Sequence, residues 1–272
     1  LRNSLLWTSI PGNELWWRDL EMGSIDTFWG VCGDAGGVYV SGNAPHDTGG
    51  PGTDSRFLCK YDADNNWLWT REFDWDDGSA ASPVCAGPGG VYLGDGVSGA
   101  LRNYDAVGGE AWTRQVGDGA RVLALASHGG DIYVAGVVSG ALPGQSSQGG
   151  DDAFAARYDA AGNQVWARQF GSGADDAATG VAAAAAVTGG ATAGGGSGVC
   201  LSGNTGGALP GAEGTGQAFS ALLAANAYPD RPVNASPAGG ESGVILTPAL
   251  AASAFADADG DGHAASRWQV RT

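Results

Sequence analysis

The stretch YDAAGNQVWARQFG, residues 158–171, recurs along the chain and decides the fold. Its order of a Tyr-Asp pair, a short turn and a Trp-x-Arg motif also occurs at 61–74 and 104–117, and a fainter copy lies at 8–21. The repeated tryptophans are Trp16, Trp69, Trp112 and Trp166, and the accompanying arginines are Arg18, Arg71, Arg114 and Arg168. Recurrence at steps of 53, 43 and 54 residues indicates a repeat architecture.

A second signature advances in phase with the first. It reads GGVYVSG at 36–42, GGVYLGD at 89–95 and GDIYVAG at 130–136, with a weaker copy, SGVCLSG, at 197–203. Alternating apolar residues make each of these a predicted strand. We therefore expect little helix and strands at 36–42, 89–94, 130–136 and 198–203.

One complete repeat contains four such strands. In the third copy, ARVLALAS (120–127) and DIYVAG (131–136) are followed by a hairpin that joins DAFAARYD (152–159) to NQVWARQF (163–170). Gly162 lies in the hairpin turn, where we expect the left-handed conformation that a short turn needs. Four short antiparallel strands in about 50 residues predict one blade of a β-propeller, and hence an all-β fold.

The repeats are not equal in length. We predict propeller repeats over residues 1–226, made of a half blade at 4–20 and blades at about 28–73, 81–116, 120–170 and 177–223. The second blade lacks the loop that follows VSGAL (138–142) in the third, and the fourth lacks a Trp-x-Arg strand. About four blades predict an incomplete propeller. We favour a truncated propeller. The alternative is a smaller ring that closes when the N-terminal strands pair with the last blade.

The third repeat resembles a known family. GGDDAFAARYDAAGNQVWARQFGS (149–172) and GALPGQ (140–145) are similar to the bacterial SBBP repeats, which form seven-bladed β-propellers. The resemblance covers about residues 4–225 and is strongest at 130–175. It implies a propeller in a bacterial protein that is secreted or exposed at the cell surface. For most members of that family it implies no established activity.

The repeated Trp-x-Arg motif admits two interpretations. A large aromatic side chain at a fixed place in the fourth strand predicts packing between adjacent blades, where it buries ~150–250 Å². We therefore expect Trp69, Trp112 and Trp166 to be largely buried. We expect the arginines to hold the outer edge of the blade through acidic side chains or backbone carbonyls. The alternative is a ring of substrate-binding arginines.

Composition limits the partners. The net charge is −16, with 29 acidic residues against 13 basic ones, and Lys60 is the only lysine. Proteins that bind nucleic-acid phosphates carry clustered Lys and Arg, so we expect no nucleic-acid partner. The acidic surface favours an extracellular protein that meets divalent cations. No apolar run of ~20 residues predicts a membrane span, and we expect a monomer.

The start of the chain and the cysteines bear on its compartment. No signal peptide is visible, and because the chain opens at Leu1 we expect a leader or further sequence before it. Cys32, Cys59, Cys85 and Cys200 have no C-x-x-C spacing, which argues against a zinc site. Cys32 and Cys85 occupy corresponding strands of successive repeats, which permits a disulfide. Buried thiols that pack as small hydrophobic side chains are the alternative that we favour.

The composition changes after the repeats. Residues 227–242 form a Pro-rich linker, and residues 243–272 resemble the start of an immunoglobulin-like or fibronectin-like module, which implies a partial β-sandwich. Asp257, Asp259 and Asp261, followed by Gly262, match the first half of a calcium-binding loop. Trp268 stands where such a loop has a bidentate Glu. A weak Ca²⁺ site and an acidic turn are therefore both open interpretations.

Motifs for catalysis are missing from the sequence, which has neither H-E-x-x-H nor G-x-S-x-G. We therefore predict no catalytic residues, no cofactor other than Ca²⁺, and a non-catalytic extracellular or cell-surface scaffold that binds a protein or a glycan. One alternative is an enzyme of the quinoprotein type, whose propeller repeats have a Gly-x-x-x-Trp pattern similar to AAGNQVW (160–166). Another is an outer-membrane assembly factor with a propeller of that kind.

Overall fold

The structure, a computed structural model, describes residues 4–8, 14–19, 27–45, 54–74, 82–184, 198–209, 217–224, 234–236 and 251–252. Within these ranges the chain forms strands and turns and contains no helix. Accordingly, no helix in the described ranges is long and apolar enough to cross a membrane. The chain divides into two compact units, residues 1–184 with 199–223, and residues 185–198 with 224–272.

The described residues of the first unit form seventeen strands. In order they are β1 (Ser4–Thr8), β2 (Glu14–Asp19), β3 (Thr27–Asp34), β4 (Gly37–Pro45), β5 (Asp54–Tyr61), β6 (Trp67–Asp74), β7 (Val84–Gly87), β8 (Gly90–Gly94), β9 (Ala100–Tyr104), β10 (Glu110–Gln115), β11 (Ala120–His128), β12 (Asp131–Ser139), β13 (Asp151–Tyr158), β14 (Gln164–Phe170), β15 (Asp176–Ala184), β16 (Gly198–Thr205) and β17 (Ala218–Ala224). The strands predicted at 36–42, 89–94, 130–136 and 198–203 are confirmed as β4, β8, β12 and β16.

Neighbouring strands pair into small sheets. Sheet 1 (β3–β6), sheet 2 (β7–β10) and sheet 3 (β11–β14) are four-stranded, and their consecutive strands pair antiparallel. Sheet 4 contains β15, β16 and β17 in that order, and β1 pairs with β2 in an antiparallel hairpin. The first strand of each sheet contacts the first strand of the next, from β3 to β7, β11 and β15. This propeller-like arrangement of four sheets confirms the predicted all-β propeller fold.

A hydrophobic core lies between each pair of consecutive sheets. The space between sheets 1 and 2 holds Tyr39, Leu58, Trp69, Val84, Val91, Leu93 and Tyr104. The space between sheets 2 and 3 is built around Tyr92, Leu101, Val122, Val134 and Phe154. The space between sheets 3 and 4 holds smaller side chains around Tyr133, namely Ala135, Ala153, Ala155, Ala178, Val199 and Leu201. Each of these three cores thus belongs to two blades, so consecutive blades bury their apolar faces against each other.

All four cysteines are unpaired in the structure. Cys59 and Cys85 are buried, Cys32 is partly buried and Cys200 is exposed. Burial raises the pKa of the Cys59 and Cys85 thiols to about 12. Both side chains therefore stay protonated at neutral pH and act as small apolar groups rather than nucleophiles.

The second unit is described only in part. Its strands β18 (Asn234–Ser236) and β19 (Ala251–Ala252) pair antiparallel. The remainder of the predicted linker at 227–242 and of the sandwich segment at 243–272 lies outside the described residues.

Candidate functional site

The repeated tryptophan and arginine of sheet 1 bind the backbone of the next sheet. Trp69 is 7% exposed, and its indole Nε1 donates a hydrogen bond of 3.1 Å to the carbonyl of Ala106. Arg71 Nε donates one of 2.5 Å to the carbonyl of Gly108. Both acceptors lie in the turn between β9 and β10, so the two side chains tie the outer strand of sheet 1 to the outer turn of sheet 2.

The same contacts occur one blade further on. Trp112 Nε1 donates to the carbonyl of Ala160 at 3.1 Å, and Arg114 Nε donates to that of Gly162 at 2.9 Å. Each guanidinium also lies over the ring of its own tryptophan, at 5.7 Å for Arg71 and 5.3 Å for Arg114. These two Trp–Arg pairs therefore bind backbone carbonyls within the protein, which is a structural role.

The turn that each pair contacts requires a residue with positive φ. Gly108 has a φ of 80° and Gly162 one of 79°, which confirms the left-handed conformation predicted for Gly162. A side-chain carbon on Gly108 would lie 2.8 Å from Cδ2 of Trp69, and one on Gly162 would lie 2.8 Å from Cδ2 of Trp112. Glycine therefore serves both the backbone conformation and the close approach of the indole.

The other repeat residues are described less fully. Trp112 and Trp166 are partly buried, whereas Trp69 is buried, although all three lie in the outer strands of their sheets. The indole Nε1 of Trp166 is buried and donates no hydrogen bond to the described residues. Arg168 is exposed but has interactions of its own. Trp16 and Arg18 lie in β2, with their side chains outside the described part.

The predicted calcium ligands cannot be placed in the fold. Asp257, Asp259 and Asp261 all lie outside the described residues. The interpretation of this triplet as a Ca²⁺ site or an acidic turn therefore stays a prediction.

A cavity of about 350 Å³ lies between sheets 1 and 2, and its lining departs from the repeat pattern. The lining includes two arginines, two carboxylates and one aromatic ring, contributed by Arg56, Arg102, Glu72, Asp95 and Phe73. In the third repeat the positions of Arg56, Asp95 and Arg102 are occupied by Ala153, Gly136 and Ala156. The charges are therefore particular to this pair of blades and are not required by the repeat.

A buried ion pair forms one wall of the cavity. Arg56 is 6% exposed, and its Nη1 donates to Asp95 Oδ1 at 2.6 Å. The Val97 amide and the Ser98 hydroxyl also donate to Asp95, each at 2.8 Å. Burial works to raise the pKa of the Asp95 carboxyl, but these hydrogen bonds outweigh burial and leave the pKa below its ordinary value.

A second arginine is more accessible. The guanidinium of Arg102 lies over the Phe73 ring at 5.6 Å, and its side chain is 31% exposed. Its ion pair with Glu110 is long, at 3.6 Å. A guanidinium that rests on an aromatic face and is partly exposed can donate hydrogen bonds to a ligand in the cavity.

The short connection between β8 and β9 in sheet 2 contributes Asp95 to the lining of this charged cavity. The link between β8 and β9 covers only residues 95–99, whereas the link between β12 and β13 covers 140–150. The sequence shows that this connection is shorter than the one in the third repeat. It does not show that Arg56 and Asp95, which are 39 positions apart, form an ion pair. An alignment of the repeats, searched for charged residues at positions where another repeat has a small residue, would have found Arg56, Asp95 and Arg102.

The ionised form of Asp95 stabilises the fold, so its contribution depends on pH. The lowered pKa means that this stabilisation is complete above the unfolded-state pKa of about 3.9 and is lost as the pH falls through the lower native pKa. We compare the free energy of unfolding of the wild-type protein with that of the Asp95→Asn variant. We expect the difference to become smaller as the pH falls from 5 to the lowest pH at which the wild-type protein stays folded. Urea melts over this range measure it, with the exposed Asp118→Asn as the control. A difference that is constant with pH would contradict the assignment.

No protein-family model matches the chain, and no curated protein matches it.

Proposed function

We propose that the chain is a non-catalytic, extracellular or cell-surface scaffold of the bacterial SBBP type that binds a glycan in the cavity between sheets 1 and 2. The observation that carries this proposal is the group of charged residues that break the repeat pattern around that cavity. Repeat positions maintain the propeller, whereas residues that differ from the repeat and line a cavity are available for a ligand. The cavity volume is within the range of small-ligand sites.

The balance of charges favours a neutral, hydroxyl-rich ligand. Two guanidinium groups and two carboxylates line the cavity, so their formal charges cancel. Guanidinium groups donate hydrogen bonds and carboxylates accept them, and a sugar hydroxyl does both. The exposed part of Arg102, resting on Phe73, is the side chain that we assign to direct contact with the ligand.

The state of Asp95 supports binding rather than proton transfer. A general acid or base needs a pKa near the working pH, whereas hydrogen bonding holds the pKa of Asp95 low and Arg56 occupies one of its oxygens.

Residues 243–272 stay proposed as the start of an immunoglobulin-like or fibronectin-like module. The triplet Asp257, Asp259 and Asp261 stays proposed as a weak Ca²⁺ site within it.

Binding of labelled neutral oligosaccharides, followed by fluorescence polarisation, tests this proposal. We expect at least one oligosaccharide of the panel to bind, and Arg102→Ala to weaken that binding by roughly 10-fold to 100-fold, since a hydrogen bond from a charged group is lost. Arg121→Ala, which removes an exposed arginine of sheet 3, is the matched control and should change the affinity less than twofold. An unchanged affinity in Arg102→Ala, or no binding by any neutral oligosaccharide at millimolar concentration, would contradict the proposal.

A further inference from the structure

Two buried carboxylates meet at the junction of sheets 3 and 4. Asp152 lies near the start of β13 and is 0% exposed, and Asp176 begins β15 and is 1% exposed. Both flank Gly171: a side-chain carbon built on this glycine would collide with Asp152 Oδ1 and would lie 3.0 Å from Asp176 Oδ2. Both carboxylates therefore lie beside the backbone of Gly171, with Asp152 Oδ1 and Asp176 Oδ2 as their nearest oxygens.

Hydrogen bonds reach only one oxygen of each carboxylate. Asp152 Oδ2 accepts from the Gln148 amide at 2.8 Å and from Gln169 Nε2 at 2.7 Å. Asp176 Oδ2 accepts from the amide and the hydroxyl of Ser172, at 2.6 and 2.9 Å. The Oδ1 atoms of both residues are buried and accept no hydrogen bond from the part of the chain that the structure describes. None of the ion pairs between described residues involves Asp152 or Asp176.

The surrounding loops add further negative charge. Asp151 and Asp175 precede the two buried residues, and the Asp151 amide donates to Asp175 Oδ1 at 3.0 Å. Among the ion pairs between described residues, the one that reaches these four carboxylates joins the Arg121 guanidinium to Asp151 at 2.7 Å. Four carboxylates and one arginine leave a formal charge of −3 at the junction. A buried carboxylate whose charge no cation balances is strongly unfavourable.

We propose that a hard divalent cation, with calcium as the probe, binds between the carboxylates of Asp152 and Asp176, with Asp152 Oδ1 as one of its ligands. Calcium prefers oxygen ligands and tolerates irregular coordination, which suits two carboxylates from the starts of different strands. The described residues hold no group of three or more His, Cys, Asp or Glu side chains around one centre. Backbone oxygens and water therefore complete the coordination.

Such a cation stabilises the interface that has the smallest side chains. The core between sheets 3 and 4 is rich in alanine, so it offers less apolar area per residue than the cores between the other sheets. A cation that joins the start of β13 to the start of β15 adds a contact between sheets 3 and 4 where apolar packing is weakest. This site is separate from the Asp257, Asp259 and Asp261 triplet and does not depend on it.

The test uses the full chain with Asp257, Asp259 and Asp261 replaced by Asn, so that any calcium response comes from elsewhere. We expect calcium at about 100 times its Kd to raise the melting temperature by roughly 5 °C relative to EDTA at equal ionic strength. Adding Asp152→Asn or Asp176→Asn to this background should abolish the shift. Adding Asp118→Asn, which removes an exposed carboxylate between β10 and β11, should leave the shift unchanged.

A further readout separates a cation site from a purely structural role. Because each Asn variant removes one of the two carboxylates beside Gly171, we expect it to melt above its parent in EDTA and to lose that advantage when calcium is added. A melting temperature of the parent that does not respond to calcium would overturn the proposal. An equal calcium response in the Asp152→Asn and Asp176→Asn variants would overturn it as well.

Discussion

Replacement of Trp69 by alanine should lower the free energy of unfolding by about 3–5 kcal/mol. The indole is 7% exposed, lies 6.0 Å from the ring of Tyr39 and donates its N–H to the carbonyl of Ala106. The substitution leaves a cavity between sheets 1 and 2 and removes a hydrogen bond between them. The loss of packing is the larger of the two effects, because a single hydrogen bond contributes only about 1 kcal/mol net.

The same strand provides a matched control. Trp67 lies two residues before Trp69 in β6, but it is 58% exposed, and its indole donates within the strand to Thr70. Trp67→Ala should change the free energy of unfolding by less than about 0.5 kcal/mol in parallel denaturant melts. A loss below about 1 kcal/mol for Trp69→Ala would mean that the repeated tryptophan does not hold adjacent blades together.

The repeats predict the strands well because strand formation depends on local patterns. The alternation in GDIYVAG (130–136) predicts a strand, and the structure extends it to Asp131–Ser139. The turn at Gly162 is predicted correctly for the same reason, since a short hairpin turn needs a residue that tolerates positive φ. The local sequence therefore carries most of the information on the all-β fold.

The degree of burial and the cavity depend on packing between blades, which the pattern within one repeat does not contain. Trp112 occupies the repeat position of Trp69, yet it is half-buried, whereas Trp69 is buried. Arg56 and Asp95 come from different sheets and meet only because β5 and the turn after β8 are adjacent in space. A pattern that repeats along the chain predicts what the blades share, whereas a site that is particular to one pair of blades arises from their differences.

Gly108→Ala should cost about 2–5 kcal/mol, because it combines two unfavourable effects. Alanine at a φ of 80° is strained by roughly 1–2 kcal/mol, and its Cβ would lie 2.8 Å from the Trp69 ring and 3.0 Å from Arg71. Gly129 provides the control, since it has a φ of 62° but no atom within 4 Å of the added carbon. Gly129→Ala should therefore show the backbone strain alone, about 1–2 kcal/mol.

A double-mutant cycle separates the two effects at Gly108. In the Trp69→Ala background the indole no longer opposes the new methyl group, so Gly108→Ala should cost only about as much as Gly129→Ala. The two substitutions should therefore be less than additive in denaturant melts, by roughly 1–3 kcal/mol. Full additivity would mean that the indole and the turn do not interact, and that glycine is required there for its backbone conformation alone. Because Gly162 and Trp112 have the same geometry one blade further on, the cycle on that pair should give a coupling of the same sign.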